Sequence, residues 1–147
     1  MPVDDQIEPR VREIFAAVVT QDANRLESAI RAFNDDEALT AGVRLSAAIG
    51  MYVLREQYGE TPGDEELRDL ATEIAGSEEW ADVHVEEVMT YLTAAFSRIS
   101  FEQVLPADRF ALLTYVVAAC LVSYFHRPDE KWWAYLDRAE AALEAAR

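Results

Sequence analysis

The sequence predicts an all-α, single-domain bundle of six to seven helices spanning residues 1–147, and three observations predict it. Apolar residues recur at three- and four-residue spacings along nearly the whole chain. Two segments, 36–58 and 110–125, are apolar almost all round, as expected of two central, mostly buried helices. Strand-like alternation, internal repeats and Pro/Gly/Ser-rich linkers are missing from the sequence. With 147 residues, 51% of them hydrophobic, the chain has enough apolar surface for one core and too much for disorder.

Ile7, Val11, Ile14, Phe15, Val18 and Val19 share one face of a first helix, which tolerates Pro9 in its first turn and runs to about Thr20. Asp22 caps a second helix with Ala23, Leu26, Ile30 and Phe33 on one side, and the two form a hairpin. The third, Asp36 to Tyr58, carries Leu39, Val43, Leu45, Ile49, Met51, Tyr52, Val53 and Leu54 around most of its circumference, with Arg44 and Arg55 on a narrow solvated stripe. Gly59-Glu60-Thr61-Pro62-Gly63 breaks it, and Thr61 or Asp64 caps a short fourth helix built on Leu67, Leu70, Ala71 and Ile74 and ended by Gly76. Ser77 is expected to cap a fifth helix reaching about Ile99, with Ala81, Val85, Val88, Leu92, Ala95 and Phe96 inward. Ser100-Phe101-Glu102-Gln103 has the pattern of a capping box before Pro106. Phe110 to Phe125 then gives sixteen uncharged residues. At about 1.5 Å per residue this run covers roughly 24 Å, short of a ~30 Å hydrocarbon core, so it is expected inside the bundle and not across a membrane. A last helix from about Pro128 turns Trp132, Leu136, Ala139 and Leu143 inward.

The formal net charge of −15 is unevenly placed. Eleven carboxylates and one basic side chain, Arg68, lie between Glu60 and Glu87, so these 28 residues hold −10 and the other 119 only −5. Such a field repels phosphate backbones, which sets direct nucleic-acid binding aside, and attracts a basic protein partner. Glu66, Asp69 and Glu73 fall at i, i+3, i+7 on the fourth helix, and Glu79, Asp82 and Glu86 repeat that spacing on the expected fifth. Two parallel ridges with carboxylates about 5–6 Å apart would result. Outer faces of amphipathic helices are polar in any case, but an ordinary solvated face mixes signs, and here the bases are nearly absent.

Three further groups stand out. Trp80, His84, Glu87 and Tyr91 would stack on one shoulder of a continuous fifth helix, placing an imidazole beside a carboxylate. Tyr52, Tyr115, Tyr124 and Phe125 would line a cavity if the central helices part, the arrangement of a small-molecule-binding bundle. Trp133 projects about 100° from Trp132 and falls with Asp137, Glu140 and Glu144, so it stands outside if Trp132 stands inside. No metal-ligand set, nucleophile–base pair or cofactor motif is recognisable, and Cys120, alone in an apolar run, is a small buried hydrophobe.

Residues Leu54 to Leu67, LREQYGETPGDEEL, followed by Leu70-Ala71, resemble the start of the helical region-3 segment of sigma factors: a Leu-Arg helix, a Gly-x-x-Pro turn and a Glu-Leu-x-x-Leu-Ala helix. The stretch Thr72 to His84 is longer than the turn such a segment uses, and acids occupy the surface that would approach DNA, so no functional residue is carried over. The reading that follows is a cytoplasmic interaction module, an inhibitor, immunity-type or regulatory binder. It is not expected to be an enzyme or to need a cofactor, it has no basic or apolar N-terminal signal, and it is free to self-associate. A nucleic-acid-mimicking acidic protein and a small-molecule binder are the alternatives.

Overall fold

Among the residues that the computed structural model describes, 1–97, 100 and 103–146, the chain forms seven α-helices and no strand. They are α1 (Glu8–Val19), α2 (Ala23–Arg31), α3 (Asp36–Tyr58), α4 (Asp64–Ser77), α5 (Val85–Ser97), α6 (Ala107–Phe125) and α7 (Trp132–Ala145), with a 3-10 turn at Glu79–Ala81 between α4 and α5. One apolar cluster draws buried side chains from all seven. Phe101 and Glu102 of the expected capping box and the Ile99 end of the fifth helix lie outside the described residues.

Local chemistry sets most boundaries. Asp22 Oδ1 accepts the Arg25 N–H at 3.0 Å and Asp35 Oδ1 accepts the Ala38 N–H at 2.8 Å, two side-chain caps of the kind that each stabilise a helix by about 1 kcal/mol. Gly59, at φ +76°, ends α3 in a conformation that side chains disfavour. Neither Thr61 nor Asp64 caps α4: Gly63 stands at that position, and Glu66 Oε1 reaches back to its N–H at 3.1 Å. At the C-terminal end, residues Arg127 to Lys131 form a turn closed by the Glu130 side chain on the Arg127 N–H, so α7 begins at Trp132 instead of Pro128.

The expected fifth helix is the largest departure. Instead of running from Ser77, the chain finishes α4 there, makes the 3-10 turn, passes through Asp82 in the left-handed region at φ +58° and starts α5 at Val85. Two contacts hold this shape, one within the turn and one from a distant helix. Trp80 Nε1 donates to the Glu78 carboxylate, and Arg109 of α6 donates to the Asp82 carbonyl at 2.9 Å, supplying a partner that helix continuation would otherwise have provided.

Helix α6 is the innermost. All ten residues from Leu113 to Val122 are buried, and α1, α3, α5 and α7 pack around it. Its 19 residues reach roughly 28 Å, so length alone no longer separates a core helix from a spanning one. By length and composition α3 and α6 would each suffice to cross a membrane, a test that bundle cores pass equally. Helix α3 packs chiefly on α6, with Leu45, Ile49, Val53 and Leu54 buried and Leu39, Val43, Ala47 and Met51 half-buried on the flank.

Gly42 marks the closest approach. A Cβ there would lie 2.6 Å from Phe33 Cζ and 2.8 Å from the Tyr115 hydroxyl, so the α2–α3 turn and α6 meet over a bare backbone. Gly42→Ala gains up to about 1 kcal/mol of helix propensity. The overpacking it forces costs about 1–3 kcal/mol. A net fall in the urea midpoint is expected, and a rise would show that Phe33 and Tyr115 yield freely.

Candidate functional site

Helix α4 buries Leu67, Leu70, Ala71, Ile74 and Ala75 and turns Asp64, Glu65, Glu66, Asp69 and Glu73 to solvent. The first predicted ridge, Glu66, Asp69 and Glu73, therefore exists on one helix. The second does not. Glu79 lies in the 3-10 turn, Asp82 is the left-handed residue and only Glu86 belongs to α5, so the three are exposed without sharing a helical face. Periodicity placed them together because the fifth helix was expected to be continuous.

The structure also sorts these carboxylates by whether a base answers them. Arg68 Nη1 lies 3.2 Å from Glu86 and links α4 to α5. Arg109 pairs with Glu87, Arg55 with Glu60 at 4.0 Å, and Asp82 sits 3.1 Å from the His84 ring. Glu78 is only 5% exposed, and its burial raises its pKa against the pull of the Trp80 and Cys120 hydrogen bonds. Six carboxylates remain, Asp64, Glu65, Glu66, Asp69, Glu73 and Glu79, and none of them forms an ion pair among the described residues. The one arginine within the acidic stretch is already engaged, so that face keeps its charge.

The shoulder group comes apart. Trp80 is held by Glu78 in the 3-10 turn, the exposed His84 ring faces Asp82, and Tyr91 is buried against Phe110 with ring centres 6.2 Å apart. Burial pushes the Tyr91 hydroxyl up to about 12, a hydrogen bond with Thr114 acting the other way. Glu87 does meet His84, but through the backbone: its Oε1 accepts the His84 N–H at 3.2 Å and closes the first turn of α5. The imidazole and that carboxylate form no acid–base pair.

The four cavity residues do not converge on one cavity. Tyr115 is fully buried, stacked on Phe33 at 6.3 Å, its hydroxyl donating to the Leu39 carbonyl at 3.3 Å. Tyr52 donates to Glu56 at 2.9 Å and meets the edge of Tyr135. Tyr124 is 57% exposed and packs edge-on against Phe125, which in turn meets Tyr58. The apolar cleft between α3, α5 and α6 measures about 180 Å3 and is lined by Ala47, Gly50, Ala94, Ala95 and Ala118 among others, with none of the four beside it. That volume is below the roughly 300–1,000 Å3 of ordinary ligand sites. Cys120 is buried, and desolvation with the neighbouring Glu78 raises its thiol pKa, so it is held as a thiol and not a thiolate. Among the described residues no three His, Cys, Asp or Glu side chains are grouped as metal ligands.

Trp133 stands outside, 46% exposed, as its angular offset from Trp132 predicted. The two indoles meet edge to face at 5.7 Å and, with Pro9, Arg12, Glu13 and Ala16 of α1, border an open groove of about 540 Å3. Sequence reasoning missed a polar seam between α3 and α7. Tyr135 donates to Glu56 at 2.6 Å and receives the Arg138 guanidinium over its ring at 4.3 Å, while Arg138 also pairs with Glu130. The Tyr135 hydrogen bond is the chief cause of the lowered Glu56 pKa. These partners are 79 residues apart, and no local pattern announces them.

Protein-family models, curated proteins and solved structures contain no match to this chain. The likeness of residues 54–71 to a sigma-factor segment therefore carries no argument about function.

Proposed function

We propose that this chain is a protein-interaction module, an inhibitory, immunity-type or regulatory binder, that engages a basic partner through the outer face of α4 and the adjoining 3-10 turn. The observation that carries this reading is the set of six carboxylates without a counter-ion among the described residues, backed by a buried apolar face that fixes their spacing. A field of one sign accelerates encounter with the opposite sign and disfavours partners of like charge. Binding of this kind is fast at low salt and weakens as the Debye length shrinks. A partner whose own ligand is nucleic acid fits the same face, because carboxylates then stand in for phosphates.

Affinity capture from the native host at low salt tests the proposal. A basic protein, retained at low salt and released by salt, is the expected result. Recovery of nothing, or of an acidic partner indifferent to salt, would contradict it.

A further inference from the structure

Away from the acidic stretch in sequence, α1 and the N-terminal segment meet α7 through a crowded set of charges. Among the described residues Arg12 of α1 is the one guanidinium in it. Its Nε lies 2.6 Å from Glu8, and its Nη2 lies 2.7 Å from Asp137 and 3.0 Å from Glu140. Arg138, the arginine of α7, is committed to Glu130 and Glu56. Three carboxylates thus share one positive charge. They are not equally solvated: the side chain of Asp137 is 61% exposed and that of Glu140 12%. One Glu140 oxygen accepts from Arg12, and the other is buried with no hydrogen-bond partner among the described residues. A buried carboxylate oxygen without a donor is costly when charged and far less so when it carries a proton.

The same surface of α7 holds the start of the chain. The Met1 ammonium donates to the Leu143 carbonyl at 2.7 Å, and the Val3 N–H donates to Glu144, one helical turn beyond Glu140. We infer that Glu140 is a proton-operated latch, which fastens α1 and the N-terminal segment to α7 when protonated and loosens that contact when ionised. Burial and the charge of Glu8 outweigh the pull of Arg12, and Asp137 adds to the rise, so the Glu140 pKa is pushed up to about 7. Glu8, Arg12 and Asp137 are the charged groups that act on it from α1 and α7. An unfolded glutamate titrates near 4.3. Between that value and about 7 the folded state keeps a proton that the unfolded state has lost, so stability of the contact falls as pH rises through this window and levels off above it.

The test uses the full chain. Amide protection, corrected for intrinsic exchange, is followed for residues 3–12 and for α6 while the Glu140 carboxyl is titrated by 13C NMR. From about pH 5.5 to 8 the protection of residues 3–12 is expected to fall roughly 10- to 30-fold while that of α6 stays higher throughout. Glu140→Gln, which still accepts from Arg12 but cannot ionise, should flatten this dependence. A Glu140 carboxyl titrating in the ordinary glutamate range, a Glu140→Gln profile parallel to the wild type, or a loss of protection equal in α6 would each overturn the latch.

Discussion

Leu121→Ala is expected to destabilise the protein by about 2–5 kcal/mol, read as a lower urea midpoint with an unchanged slope. Leu121 is fully buried in the ten-residue core of α6 and borders the cleft of about 180 Å3 between α3, α5 and α6. Its neighbours there include Gly50 and Ala118, which have no long side chain to move into the space vacated. The void therefore collapses poorly, which places the loss in the upper part of that range, a large share of the roughly 5–15 kcal/mol that holds a domain folded. Three residues later on the same helix Tyr124 is exposed, and its edge contact with Phe125 is the main thing Tyr124→Ala removes. A loss of no more than about 1 kcal/mol is expected there. Equal losses at the two positions would contradict the central place of α6.

Asp69→Lys combined with Glu73→Lys is expected to slow association with a cationic partner about tenfold or more at low salt. The deficit should shrink as salt is added, since it is the screened part of the interaction that changes. Both residues are exposed on α4, one turn apart, and neither is among the described ion pairs. Glu66 is the wrong residue to reverse, because it closes the first turn of α4 through the Gly63 N–H, and helix loss would be confused with charge loss. Asp82 is equally unsuited, since a new side chain there inherits a left-handed backbone. Removing like charges from a crowded face relieves repulsion, so the double variant should melt no lower than the wild type. Association at the wild-type rate would move the docking surface elsewhere, with the groove beside Trp132 and Trp133 the next place to look.

Much of the fold was legible because its signals are local. The apolar spacing of α1 and α2, the Asp22 cap, the Gly59 stop and the uncharged run of α6 each sit within a few residues of the element they specify. The break between α4 and α5 was illegible for the opposite reason. The spacing of Ala81, Val85, Val88 and Leu92 suits a helix, and one of the contacts that holds the chain in another shape comes from Arg109, 27 residues away from the Asp82 it satisfies. The same error moved Glu79 and Asp82 onto a helical ridge and stacked Trp80 with His84. Of the two expected ridges, the one on α4 is where spacing put it, whereas the remaining acids gather around a turn. Burial of Glu78, the α3–α7 seam and the Arg12 cluster depend on pairs far apart in sequence, and charge counting alone sees them as ordinary surface residues.

Backbone NMR on 15N-labelled protein, titrated with an arginine-rich peptide at low salt, tests the acidic-face reading most directly. Shift changes concentrated on residues 64–73 and on Glu79, and lost in the Asp69→Lys, Glu73→Lys variant, are the expected result. Changes concentrated instead on the acids of α7 or beside Trp133, or a pattern that the variant leaves intact, would contradict the assignment of this face as the binding surface.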